Sequence, residues 1–153
     1  AGTYPCPLLD VASRCQPHYV GCMTESAATA PRWTVVIPYY NEENWLPATL
    51  ESLSRQRLRP FRVILVDNGS TDGTPTLARQ WAQAQQGIAV SLLHQPTPGQ
   101  VHALHMGITA ADTEFLAIAD ADTIYPPHYL EAATSHLDAA GPGTIGVLYI
   151  HKA

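Results

Sequence analysis

The sequence predicts an α/β fold, a mostly parallel sheet with helices on both faces. Three observations predict it. Short, continuous apolar runs recur at residues 34–37, 61–66, 88–93 and 115–119, the pattern of strands buried on both faces. Stretches with apolar residues at helical spacing lie between them, so strands and helices alternate. Polar clusters (Tyr39 to Glu43, Asp67 to Asp72, Asp120 to Asp122) follow three of the runs, at the carboxyl ends of the strands, where ligands sit in such sheets.

Each element follows from its residues. The run Thr34, Val35, Val36, Ile37 reads as the first strand, ended by Pro38. Trp45, Leu46, Thr49, Leu50 and Leu53 then recur at helical spacing, with Asn44 as the expected cap and Pro47 in the first turn. Arg59-Pro60 closes that connection, and residues 61–66 form the second strand. The loop 67–73 is rich in turn formers, and Thr74-Pro75 is expected to cap and open the second helix. Leu77, Trp81 and Ala84 are expected to share its buried face. Residues 88–93 form the third strand, residues 99–110 a helix, residues 115–119 the fourth strand, and residues from about 127 to 139 another helix. A further strand is expected over 145–150.

Composition bounds the function. With 153 residues, 46% apolar and 14% charged, the chain can bury one real core and is not disordered. A net charge of −5 argues against general nucleic-acid binding, which needs clustered Lys and Arg. No apolar run approaches the roughly 20 residues of a membrane span, and the first residues lack a signal-peptide pattern. The expected compartment is therefore the cytoplasm, with membrane association left to a full-length form. Residues 1–32 show no lasting period and read as an N-terminal extension or linker, leaving 33–153 as the domain. Cys6, Cys15 and Cys22 all fall in that extension, and with His18 they present four soft ligands. Their spacing fits no zinc module, and ordinary reduced thiols are expected.

Asp120 and Asp122 stand two apart just past the fourth strand. In an extended segment both would point to the same side. Two adjacent carboxylates repel unless a proton or a cation is shared between them. Hard oxygen ligands suit Mn²⁺ or Mg²⁺, and such an ion would meet the charge of a diphosphate. Solvated turn aspartates are the bland alternative. Aspartate-nucleophile phosphotransferases also place an Asp-x-Asp after a strand, but after the first one and without an Ile at the position of Ile124.

Four stretches resemble the inverting glycosyltransferases of family 2, with the GT-A fold. Residues 34–43 look like that family's opening strand and P-x-Y-N-E turn. Residues 63–74 are similar to its V-D-D/N-G-S-T-D-G-T segment. Residues 99–107 match its G-K-x-x-A-L-N-x-G helix more loosely, and residues 115–122 look like its D-x-D block. The resemblance implies a Rossmann-like GT-A domain that lacks the acceptor-binding half. It implies that Tyr40 lies against the nucleotide base, with Pro38, Asn41 and Glu42 shaping that pocket. Asp67 would accept a base N–H, Asn68 and Asp72 would support the loop, Asp120 would contact ribose or metal, and Asp122 the metal. Gln100 and His105 depart from the family's usual Lys and Asn. That leaves the role of His102 and His105 open, with solvent-exposed or partly buried histidines as the expected outcome.

The implied reaction moves a sugar from a UDP- or GDP-sugar to a carbohydrate or lipid-linked hydroxyl, with inversion and metal assistance. The general base is expected beyond this chain, because Glu131 and Asp138 come too soon after the Asp-x-Asp. Two alternatives remain: a non-catalytic nucleotide- or sugar-binding module, and a metal-dependent nucleotidyl- or phosphotransferase.

Overall fold

The structure is a computed structural model, and it describes residues 30–141. The expected strand at 145–150 and the cluster of Cys6, Cys15, His18 and Cys22 lie outside the described residues. Strands β1 (Trp33–Tyr39), β2 (Phe61–Asp67), β3 (Ile88–His94) and β4 (Phe115–Ile118) alternate with helices α1 (Leu46–Ser54), α2 (Thr74–Ala84), α3 (Gln100–Ala110) and α4 (Tyr129–Ala140). The strands form one parallel sheet in the order β3-β2-β1-β4.

Nearly every residue of the two central strands is buried, and successive side chains point to opposite faces, which builds two cores. Trp33, Val35, Ile37, Phe61, Val63 and Leu65 pack with Leu46, Leu50 and Leu53 of α1, Ala78 of α2, and Leu130 and Ala133 of α4. Val36, Ile64 and Val66 turn the other way and meet Ala103 of α3. Helices α1, α2 and α4 thus cover one face and α3 the other, as a doubly wound sheet requires. Winding runs from β1 out to β3 and returns across the sheet to β4. The loops after β1 and β4 therefore diverge, which opens a crevice at the carboxyl edge.

Several expectations change at the element ends. Pro38 does not stop β1, which runs on to Tyr39 with Pro38 paired in register to Val66. Val36 O accepts from Ala119 N on the β4 side, while Tyr39 O accepts from Asn68 N on the β2 side. Pro38 shares the parity of Val36, so its nitrogen faces the side where β4 has already ended, and no ladder bond is lost. Asn44 does not cap α1: the residue at the cap is Trp45, with no side-chain cap bond. Trp45 also leaves the expected apolar face and is 62% exposed. Thr74 is the first residue of α2 and not its cap. Asp72 takes the cap's role, its Oδ1 accepting from Thr74 N at 3.0 Å and from Thr74 Oγ1 at 2.6 Å. The buried positions of α2 are Thr74 and Ala78, with Trp81 packed against the core, in place of the Leu77 and Ala84 face.

Candidate active site

Four loops at the carboxyl edge enclose a cavity of about 740 Å³. Pro38, Tyr39, Tyr40 and Glu42 line it from the end of β1, and Asn68 and Gly69 from the end of β2. Pro96, Pro98, Gly99 and Gln100 close it from the β3–α3 loop, and Asp120, Ala121 and Asp122 from the end of β4. Among the described residues its wall carries three carboxylates and no Lys, Arg or His. Tyr40 stands 56% exposed in this wall, an aromatic face with apolar area to offer.

Backbone and side-chain hydrogen bonds hold the loops together. Asn41 adopts φ 54°, a left-handed conformation that Asn tolerates better than most residues. Its Oδ1 accepts from Thr71 N at 2.8 Å, and its own N donates to Ser70 Oγ at 3.1 Å. Glu42 N donates to Thr74 Oγ1 and Glu43 N to Asp72 Oδ2, while Gly73 N donates to Glu43 Oε2 at 2.8 Å. The β1–α1 loop is thereby clasped to the amino end of α2. Burial works against the charge on Asp72, but the Thr74 hydroxyl, the Thr74 N–H and the Glu43 N–H hold its carboxyl below the ordinary value. Asn68 organises the next loop: its Nδ2 donates to Gln95 O and Thr97 O, and its Oδ1 accepts from Gly99 N at 2.8 Å.

Asp67 is 8% exposed and does not line the cavity. Its Oδ1 accepts from Ser70 N at 2.9 Å and its Oδ2 lies 3.0 Å from His94 Nδ1. A carboxylate has about four lone-pair sites, so these partners leave acceptor capacity. The Asp120–Asp122 segment is a turn at residues 121 and 122, not the extended segment from which a shared side was expected. Both aspartates are nevertheless exposed, flank the buried Ala121, and line the same cavity. Among the described residues no three His, Cys, Asp or Glu side chains form a metal-holding group. An ion that keeps several waters and binds through two carboxylates and substrate phosphate fits this donor set.

The family 2 profile of the glycosyl transferases matches residues 34–153, most of the chain. The chain belongs to glycosyltransferase family 2. One relative, the undecaprenyl-phosphate 4-deoxy-4-formamido-L-arabinose transferase of Aeromonas hydrophila, is 36% identical over 115 residues, which are 71% of this chain and 35% of that protein. The mannosyltransferase PcManGT of Pyrobaculum calidifontis, solved with GDP-Man and Mn²⁺, superposes with a TM-score of 0.64 at 34% identity, covering 68% of this chain and 31% of that one. TarS of S. aureus, solved with UDP-GlcNAc, gives a TM-score of 0.59 at 26% identity, over 71% of this chain and 31% of that one. The fold is the GT-A fold of these glycosyltransferases. This chain spans about a third of the length of the curated relatives it matches.

Of the residues the family 2 motifs single out, Pro38, Tyr40, Glu42, Asn68, Asp120 and Asp122 meet in the cavity wall. Asn41 and Asp72 do not line it, and they hold the two loops behind the wall. His102 and His105 are exposed on α3 and do not line it either. Asp138 lies at the far end of the sheet, paired with Arg32 at 2.7 Å. Sequence reasoning missed Glu43, the Pro96–Pro98 wall and Tyr125, whose hydroxyl accepts from Asp120 N at 2.8 Å. For Glu43 a signal existed, since it sits beside the P-x-Y-N-E turn. Tyr125 carried none, because its role depends on how the turn folds back. Among the described residues no helix is long and apolar enough to cross a membrane.

Proposed function

We propose that residues 33–153 form the donor site of a metal-assisted, inverting glycosyltransferase that uses a UDP- or GDP-sugar. One observation carries the proposal: among the described residues the cavity wall holds Glu42, Asp120 and Asp122 but no basic side chain. A diphosphate brought against three carboxylates is repelled unless a cation lies between them. A Mn²⁺ or Mg²⁺ held by Asp122, with Asp120, would supply that charge and stabilise the departing nucleoside diphosphate. The amino end of α3 adds partial positive charge at Gly99 and Gln100.

The remaining roles fall to side chains of the loops. Tyr40 lies along the base, with Pro38 and Glu42 beside it. Asp67, set just behind the cavity wall, is the proposed acceptor for a base N–H through the lone pairs that Ser70 N and His94 leave free, which favours uracil or guanine over bases lacking that donor. Asp120 takes the ribose or shares the metal. Asn41, Asn68 and Asp72 keep these loops in register. The acceptor hydroxyl is deprotonated by a general base from an acceptor-binding part outside residues 33–153. The acceptor is a carbohydrate or a lipid-linked acceptor met from the cytoplasmic side, the second in keeping with the undecaprenyl-phosphate relative.

Calorimetric titration with UDP and GDP, with Mn²⁺, with Mg²⁺ and with chelator, tests the proposal. Metal should tighten binding at least roughly tenfold, and Asp122→Asn should remove that gain while leaving the weak metal-free binding. Binding indifferent to metal would sink the metal-assisted donor site and favour a sensing module. A nucleoside triphosphate preferred over the diphosphate would favour a nucleotidyltransferase.

A further inference from the structure

Three polar side chains of α1 are almost fully buried: Thr49, Ser52 and Gln56, the last just past the helix end, all at 3% exposure or less. Their i, i+3, i+7 spacing lines them up along one side of the helix. Buried hydroxyl and amide groups cost free energy unless hydrogen bonded, and all three are bonded. Most of their partners are backbone groups of one remote segment, residues 121–130, besides Trp45 O and Thr49 O beside and within the helix itself. Thr49 Oγ1 donates to Ala121 O at 2.8 Å. Ser52 Oγ accepts from Tyr125 N at 3.0 Å and donates to Thr49 O at 2.6 Å. Gln56 Nε2 donates to Pro126 O at 2.6 Å, and its Oε1 accepts from Leu130 N at 3.1 Å. Tyr125, 6% exposed, then accepts from Asp120 N.

Residues 119–128 contain neither helix nor strand. Their backbone groups have no ladder of their own, so α1 supplies the partners. The residue gripped by Thr49 is Ala121, which stands between the two cavity aspartates. The same helix starts from the opposite wall, where Leu46 N donates to Glu42 O at 2.9 Å. One rigid element therefore ties the 40–42 wall to the 120–122 wall.

We infer that Thr49, Ser52 and Gln56 are positioning residues that set the placement of the Asp120 and Asp122 carboxylates, with the Thr49 hydroxyl as the decisive contact. The inference rests on the donor-site reading above for its functional half, and on geometry alone for its structural half. Thr49→Val keeps the shape and removes the donor, leaving Ala121 O without its partner, whereas Thr49→Ser keeps the hydroxyl.

Two measurements on the same chain test it. The first is amide hydrogen exchange without any ligand. Thr49→Val should speed exchange at residues 120–125 by about tenfold, the loss of one buried hydrogen bond, with β1 and β2 amides unchanged and Thr49→Ser close to wild type. The second is the ratio of GDP or UDP affinity with Mn²⁺ to that with chelator. Thr49→Val should lower this ratio about tenfold and Thr49→Ser should restore it; a merely structural loss would lower thermal stability and leave the ratio alone. Exchange at 120–125 unchanged in Thr49→Val overturns the inference whatever the nucleotide does. So does an unchanged ratio in a protein whose wild type is metal dependent. A wild type with no metal dependence sinks the donor-site reading, and the exchange data then decide the positioning role by themselves.

Discussion

Gln100 is the neutral side chain at the point where the cavity meets α3, and the related family motif usually carries Lys there. An ammonium at this site would approach the place proposed for the diphosphate, at a partly solvated surface where one charge pair contributes about 1 kcal/mol or less. Gln100→Lys should therefore strengthen UDP or GDP binding in chelator several-fold and reduce the advantage conferred by Mn²⁺, as read by calorimetry at two salt concentrations. Unchanged affinity in chelator would mean that the diphosphate does not run along this wall. The residue scale is also where the sequence was least transparent. Tyr40, Glu42, Asp120 and Asp122 were legible as cavity residues because each directly follows a parallel strand, and strand ends must meet at one edge. Asp67 and Asp72 look equivalent to them in the sequence. Asp72 supports the loop, as the family motif implies, by accepting Thr74 and Glu43 N–H groups, while Asp67 accepts Ser70 N behind the wall; which N–H a turn aspartate captures depends on loop dihedrals that residue type alone does not set.

Helix α3 owes its seat on the sheet to one small residue. A Cβ on Gly107 would overlap Val36 Cγ1 and crowd Val66 Cγ2 at 3.2 Å, and both valines are essentially buried in the central strands. Gly107→Ala should destabilise the chain by about 1–3 kcal/mol through overpacking, even though Ala is the better helix former. Urea denaturation checks this, and a stabilised variant would show that α3 does not sit where the structure has it. Elements of this kind were readable in advance: among the described residues the four strands and four helices lie within a few residues of their expected bounds. Their ends were not. Asn44 and Thr74 have the right chemistry for caps, but at α2 the orphan N–H groups are claimed by Asp72 and by Glu43, which arrives from another loop. Local sequence ranks candidate caps without knowing which tertiary acceptor reaches the helix first.

At the scale of the whole molecule, the edge of the sheet opposite the cavity is closed by charge. Arg32 pairs with Glu114 and Asp138, both at 2.7 Å, and lies over the Phe115 ring at 4.7 Å. The hydrogen bonds from Arg32 hold the carboxyls of Glu114 and Asp138 below their ordinary values. Groups whose folded value is depressed favour the fold above the ordinary carboxylate range and lose that contribution as pH falls through the lowered value. Arg32→Met should thus reduce stability modestly at neutral pH, and wild type and variant should converge in strong acid. Urea midpoints from pH 7 down to 3 check the sign; a difference that grows toward acid would refute it. All three groups are largely exposed, so the effect is small and should fade in high salt. The winding of the sheet has a separate consequence. Helices α1 and α4 cover the same face, and α1 carries the chain from β1 to β2 on one side. A crossover of the same hand through α4 would carry the chain from β4 in that same direction, onto ground that β1 already occupies. Among the described residues the outer rim of β4 has no neighbouring strand, and Leu116 and Ile118 are exposed on it; that rim is therefore closed to a parallel neighbour reached directly through α4, and a strand brought there by that helix would run against the other four.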